Sequence, residues 1–446
     1  MEPPVYRGLF LLTITTSITY SYYFATMEPT SKPKAQAALG FIFLTLLIDI
    51  IGFGVIIPVL PDLIRHLLHS DIRVAATYGK YLMVAYALMQ FLFAPVIGAL
   101  SDRFGRRPVL LASLFGFGID YLFLAFAPTI WWLFVGRIIA GITGASFTTA
   151  TAYIADISTA ENRTKNFGMV GAAFGIGFIV GPSLGGVLGH IGLRIPFYVS
   201  AGLALLNALY GFFILPESLP ADKRRPFEIK RANPVGSLMQ LAKYPSVLGL
   251  TASFFLIYVA AQSVQSTWNY FTIYRFNWSE QMIGWSLGCI GLLVGLVQGL
   301  LTRVAIPKLG NQRSVIIGLL MYTVGLVLFS FAGATWMMFV FSIPYCLGGI
   351  AGPALQSIIT SEVAQNQQGE LQGGLTSLMS VASVVGPLVM PTLFVYFTSP
   401  GAPIFFPGAP FMMGAVCMLL SAILAIRNFK REKIKAESIT PNDTAI

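Results

Sequence analysis

Three ionisable residues fall deep inside apolar stretches of this 446-residue chain: Asp49, Asp120 and Arg137. A charge is costly to keep in such surroundings, so each is a functional hypothesis by default. The stretches that carry them read as helices. At ~1.5 Å per residue, Asp49 and Asp120 lie roughly 17–18 Å in from one end of their segments. Arg137 comes to roughly 20 Å from the same side of a ~30 Å apolar layer. The three can therefore meet at mid-depth. Two acids and one arginine leave one negative charge, which a proton or a cationic solute can neutralise. The competing reading is a static ion network that only holds helices together.

The elements that must position these residues follow from composition. Hydrophobic residues make up 56% of the chain and charged residues 10%, with a mean hydropathy of +0.75. A soluble domain carries about 25% charged residues, so a water-soluble fold is excluded. The net charge of +10 does not mark a nucleic-acid surface, because the basic residues are scattered through short loops between apolar runs. Cys289, Cys346 and Cys417 lie within apolar runs as packing residues. No Cys/His pattern suggests a metal or other cofactor. His66 and His69, with Asp62 nearby, come nearest to a ligand set, and nothing surrounds them with the groups a membrane-embedded enzyme needs.

Twelve runs are long enough to cross a bilayer as helices: 38–60, 78–100, 109–127, 130–152, 166–189, 195–215, 246–273, 281–302, 314–332, 335–358, 371–397 and 404–426. The expected fold is an all-α membrane protein of two six-helix halves. The divisions are a 1–37 leading segment, a 38–215 half, a 216–245 central loop, a 246–427 half and a 428–446 tail. Gly8–Phe24 is apolar but rich in Ser, Thr and Tyr; it reads as a start before a true Met27, with a thirteenth span or a signal peptide as alternatives. Arg65, Arg73, Lys80, Arg194 and Arg275 fall on one side of the spans, against roughly four times as many Lys and Arg on the other. Both termini and the central loop are thus expected in the cytoplasm. Arg103-Phe-Gly105 and Lys308-Leu-Gly310 recur at the same offset as Gly181-Pro182 and Gly386-Pro387. Parallel repeats of this kind are a transporter architecture with solute bound between the halves.

The second half holds no ionisable residue deep in a span. It offers Tyr258, Gln262, Gln265, Trp268, Asn269, Tyr270, Gln298, Tyr322 and Gln356, which either line a site for a planar amphipathic solute or hydrogen-bond between helices. The loop between spans two and three reads Gly98-Ala-Leu-Ser-Asp102-Arg103-Phe-Gly105-Arg106-Arg107-Pro108. Asp102 is suited to face a neighbouring helix N-terminus, and Arg106 to pair with Asp156. Span five carries Gly171, Gly175, Gly177, Gly181, Pro182, Gly185 and Gly186; glycines four apart admit close helix packing, and the proline permits a bend.

The 98–108 loop, Arg137-x3-Gly141-x2-Gly144 and the span-five pattern resemble signatures of the major facilitator superfamily, the last its antiporter motif. Leu47-Ile-Asp49, Ile57-Pro-Val-Leu-Pro61, Tyr86-Ala-Leu-Met-Gln90, Phe93-Ala-Pro95 and Asp120-Tyr121 resemble its bacterial tetracycline-resistance exporters. Trp268-x2-Phe271-Thr272-x2-Arg275 and Gln367-Gln-Gly-x-Leu-Gln372-Gly resemble that branch too. The resemblance implies a proton-coupled drug exporter of the inner membrane, working as a monomer on small amphipathic solutes. Under it, Asp49 and Asp120 handle proton or substrate and Gln90 lies on the substrate path. Asp102, Arg106, Arg137 and Asp156 take gating and salt-bridge positions. Val294 and Tyr322 stand where the resemblance implies a histidine and an acid. A facilitator or symporter for a small metabolite is the alternative on the same fold.

Overall fold

The computed structural model describes residues 32–144, 146–159, 162–227, 233–241, 248–363 and 367–439. The readings of Gly8–Phe24 lie outside the described residues. Within them the regular structure is helical, and 12 helices are long and apolar enough to span a membrane. In chain order the spans are Ala38–Ile56, Ile72–Phe104, Arg106–Phe126, Ile130–Ile157, Asn166–Ile191, Ile195–Ile214, Leu248–Phe276, Glu280–Leu309, Asn311–Ser330, Thr335–Ser361, Leu371–Thr398 and Ala409–Arg431. Each matches one apolar run. Several helices outlast the run that announced them, as span two does at both ends, because hydropathy marks only the lipid-immersed part while backbone hydrogen bonding continues into polar sequence.

Local signals fix the ends. The Asp71 carboxylate accepts from Arg73 N at 3.1 Å and Val74 N at 3.0 Å and so starts span two. Gly105 (φ 106°) and Gly310 (φ 78°) make the turns before spans three and nine in a region open mainly to glycine. Pro182 and Pro387 both sit inside helices, in spans five and eleven. The paired sequence matches therefore occupy equivalent places in the two halves. Apolar side chains such as Phe213, 76% exposed, cover the outside, as a bilayer-facing surface requires.

Within the first half, span one packs on five and six, two on four, and three on six; in the second, seven packs on eleven and twelve, and nine on twelve. The halves meet where span five crosses span eight and span two crosses span eleven. The 98–108 turn and the segment after span six define one face of the bundle, the loop face; the opposite one is the far face. Among the described residues the junction is tight toward the far face. A Cβ on Gly186 would lie 2.6 Å from the Glu280 carbonyl and 3.2 Å from Gly284 Cα, and one on Gly291 would lie 2.9 Å from the Phe178 carbonyl. Toward the loop face the same helices diverge: a Cβ on Gly171, Gly175, Gly295 or Gly299 would meet nothing within 4 Å.

Candidate functional site

The first half assembles the charged site. Asp120 of span three is fully buried and forms an ion pair with Arg137 of span four, itself 8% exposed. A Cβ on Gly136 would stand 2.7 Å from Asp120 Oδ1, so the pairing depends on a glycine beside the arginine. The Arg137 guanidinium lies 5.8 Å from the centre of the Tyr86 ring of span two, within cation–π range. One turn along span two, Gln90 Nε2 donates to the Gly144 carbonyl at 3.3 Å. A Cβ on Gly141 would fall 2.6 Å from the Tyr86 carbonyl. In the 137–144 pattern, then, the arginine supplies charge and the glycines admit span two.

Asp49 lies in span one, half-buried. It shares the neighbourhood of the pair, since Asp49, Asp120 and Arg137 all act electrostatically on Tyr86 and Tyr121. Gly52, a turn beyond Asp49, accommodates the Tyr121 hydroxyl, which would stand 2.9 Å from a Cβ there. Arg137 is bonded to Asp120, and with Asp49 in the same half the formal total is one negative charge.

The 98–108 turn is a network. Arg106 bonds Asp102 at 2.6 Å, Asp156 at 3.1 Å and the Ser101 hydroxyl at 2.6 Å. The Arg106–Asp156 pairing is the expected one. The Asp102 carboxylate pairs with Arg106, one helical turn ahead at the start of span three. Arg107 donates to the Phe212 carbonyl at 2.5 Å, and Arg103 lies over the Phe104 ring at 5.1 Å. A Cβ on Gly98 would meet nothing within 4 Å.

Glu217, just past span six, organises this turn, and sequence reasoning missed it. Its carboxylate accepts from Arg106 N at 2.8 Å, Arg107 N at 3.3 Å, Ser218 N at 3.0 Å and Leu219 N at 3.1 Å. It thereby caps span three from outside that helix and presses against Gly105, where a Cβ would clash with it. The available signal was a lone acid directly after an apolar run. Glu217→Ala lowers stability by about 1–2 kcal/mol, measured as denaturation of the detergent-solubilised protein; an unchanged midpoint would show that the backbone amides find other acceptors.

The span-five motif divides between two jobs. Gly181 and Gly185 pack against span one, where a Cβ on Gly181 would lie 2.9 Å from Gly54 Cα and one on Gly185 would strike the Val55 carbonyl. Pro182 Cδ would lie 2.8 Å from a Cβ on Gly54. Gly171 and Gly175 border the divergent loop-face part.

In the second half the candidate lining residues separate. Trp268 is 2% exposed; it donates to Ser286 Oγ at 3.0 Å and packs edge-on against Phe329 at 5.1 Å. It is a core residue, because its indole N–H is satisfied internally and aromatic rings surround it. Gln262 is also buried, 3.5 Å from Ser383 Oγ. Asn269 donates to the Ile57 carbonyl and so ties span seven to the first half. Gln356 donates to Gln372 at 3.2 Å, linking spans ten and eleven. Tyr322 packs over Gly348 and meets Tyr345 edge-on at 5.2 Å. Gln265 is exposed. Span eight relaxes to a wider π turn at Val297–Leu301, just after Val294, and span ten tightens to a 3-10 turn at Gly348–Ile350. A Cβ on Gly349 would lie 3.5 Å from Val297, so the two breaks adjoin. Among the described residues, no group of three or more His, Cys, Asp or Glu side chains is arranged to hold a metal ion.

Comparison with known proteins agrees with this architecture. The Major Facilitator Superfamily profile matches residues 42–275 and 250–444. The chain is 44% identical over 361 residues to the tetracycline resistance protein, class C, of Escherichia coli, covering 81% of this chain and 90% of that one. It is 36% identical over 405 residues to the class H protein of Pasteurella multocida, covering 90% and 98%. Among solved structures, the human organic anion transporter MFSD10 superposes with a TM-score of 0.69 at 25% identity, over 88% of this chain and 99% of that one. The twelve helices, the duplicated turns, the buried acid–arginine pair and these matches together place the chain in the major facilitator superfamily of membrane transporters, with tetracycline resistance proteins among its relatives.

Proposed function

We propose that this transporter exports tetracycline-like or other amphipathic compounds in exchange for protons, by alternating access. The carrying observation is the buried Asp120–Arg137 pair with Asp49 beside it, set in a bundle shut at the far face and divergent at the loop face. One net negative charge at that depth has to be neutralised when the site moves between aqueous faces. A proton and a cationic or polar solute neutralise it alternately, which is the physical content of antiport. The relatives named for tetracycline resistance support export as the direction. Val294 and Tyr322 leave the second half without a charge deep in spans eight and nine, so coupling in this reading belongs to the first half, and tetracycline is one member of the panel to test.

In this reading the halves are 38–215 and 246–427, the loop face is cytoplasmic with both termini, and one chain in the inner membrane suffices. Adding compounds from a broad drug panel to everted vesicles that hold a preformed pH gradient discharges the gradient. A wild-type protein silent to the whole panel would overturn the proposal. Uptake of a labelled metabolite into intact cells would favour the facilitator or symporter reading instead.

The 98–108 network gives a separate prediction. Asp102 is 41% exposed, so its pairing with Arg106 contributes at most about 1 kcal/mol. Asp102→Asn therefore leaves the protein folded and drug binding intact, while turnover falls severalfold because the turn no longer re-forms its contacts as the loop face closes. Equal turnover in the variant and the parent would reduce the turn to a topology signal.

A further inference from the structure

Two consecutive residues of span seven, Asn269 and Tyr270, leave their own half and enter the other. Asn269 donates to the Ile57 carbonyl, just past the last helical residue of span one, Ile56, where main-chain carbonyls lack helical partners. Tyr270 penetrates further. A Cβ on Gly79 of span two would coincide with the Tyr270 hydroxyl and stand 2.9 Å from the ring carbon that bears it. The hydroxyl therefore occupies the place where span two would otherwise carry a side chain. Ile64 of the short helix Leu60–Leu68 closes the same spot, its Cδ1 lying 3.6 Å from that Cβ position. Tyr270 is 5% exposed. The depths agree: Gly79 and Tyr270 each lie about two helical turns, ~10 Å, in from the far-face ends of their spans at Ile72 and Phe276. Lys80, the residue after Gly79, donates to Thr392 of span eleven at 3.0 Å. Span two thus meets the second half through residues 79 and 80, and span seven meets the first through 269 and 270.

We propose that Tyr270 is the latch of the far face and Gly79 its socket: the halves shut by seating the tyrosine hydroxyl against the bare main chain of span two, and they part by withdrawing it. At the crossing of spans five and eight, Gly186 and Gly284 meet main chain to main chain. At spans two and seven a side chain enters the opposite helix, so the fit specifies one relative position of the halves. A gap of roughly 0.5–1 Å already forfeits a quarter to a half of each contact's attraction. The latch is therefore firm when seated and loses its hold as soon as the halves begin to separate. Tyrosine suits this role. Its rigid ring has two torsions, so seating it costs little order, and its hydroxyl can meet water once the face opens. The inference goes beyond the exporter reading: it needs only that the halves part at the far face, and names neither a solute nor a coupling ion.

Distance measurement between spin labels tests it on the full-length, drug-free protein in lipid nanodiscs, with Cys289, Cys346 and Cys417 replaced by serine. Labels at Thr129→Cys and Gly401→Cys place one probe on each half at the far face, between spans three and four and between spans eleven and twelve. Gly79→Ala puts a methyl where the hydroxyl sits, and the share of long distances rises severalfold over the parent. Tyr270→Phe alone keeps the ring and stays near the parental distribution. The double variant Gly79→Ala with Tyr270→Phe returns most of the way to the parent, because the missing hydroxyl gives the methyl room. Tyr270→Leu empties the socket without adding an atom to span two, and it lengthens the distances as Gly79→Ala does; it carries the test if the alanine variant fails to insert. A parental distribution in Gly79→Ala or in Tyr270→Leu overturns the proposal. So does a double variant as open as Gly79→Ala, which would show that the methyl acts through span two rather than through Tyr270. Failure of the exporter reading appears elsewhere, as vesicles silent to the drug panel, and leaves these distances unaffected.

Discussion

Asp49→Asn inserts and folds like the parent, and drug addition to vesicles containing it leaves a preformed pH gradient standing. The substitution keeps size and hydrogen-bonding capacity at a half-buried site, so packing in span one is preserved. What is removed is the charge that, with the Asp120–Arg137 pair, leaves the site one negative. A site that no longer changes charge has no reason to move a proton in one direction and a solute in the other. Gradient-driven export therefore falls to vesicle background, while energy-independent exchange of drug across the membrane persists. Asp49→Glu retains part of the gradient response, because the titrating group remains and only its reach changes. Gradient-driven export at the parental rate in Asp49→Asn would remove this residue from coupling.

Arg137→Gln has the largest expected effect on stability. It leaves the fully buried Asp120 carboxylate without its cation, at a cost of about 3–5 kcal/mol. Asp120→Asn strands the guanidinium instead, and it costs less because the Tyr86 ring still faces Arg137. The double variant Asp120→Asn with Arg137→Gln recovers most of the loss, since two neutral amides can bond each other where the ion pair stood. Denaturation of the four proteins in detergent closes a double-mutant cycle. Additive single costs would show that the two residues do not act as a unit.

Much of this fold is legible in the chain. The bilayer forces helices on any apolar run of sufficient length, and Gly105 and Gly310 announce equivalent turns by recurring in equal surroundings. The charged site was legible for a related reason: an ionisable residue at depth has few tolerable fates, and Asp120 and Arg137 meet the commonest one by pairing. The second half was read less well. Trp268 and Gln262 have the same polar and aromatic character whether they line a solute path or fill a core, and periodicity does not separate the two in a helix that is apolar all round; only the packing shows Trp268 enclosed by rings and Asn269 reaching across to the Ile57 carbonyl. Glu217 escaped notice because its partners, the Arg106 and Arg107 amides, are four spans away in sequence and adjacent only once the first half has closed.

The far-face seam between spans five and eight is lined by Gly186, Gly284, Gly288 and Gly291. Glycine has no rotamers to freeze, so bringing these strips of bare main chain together demands no ordering of side chains, and parting them releases none. Such a seam resembles two smooth rails more than a zipper, with little friction and little grip. The hold between the halves then leans on polar ties elsewhere, such as Lys80–Thr392 between spans two and eleven and Asn269–Ile57 between span seven and the end of span one. A small change in those ties can therefore tip the whole bundle from one face to the other.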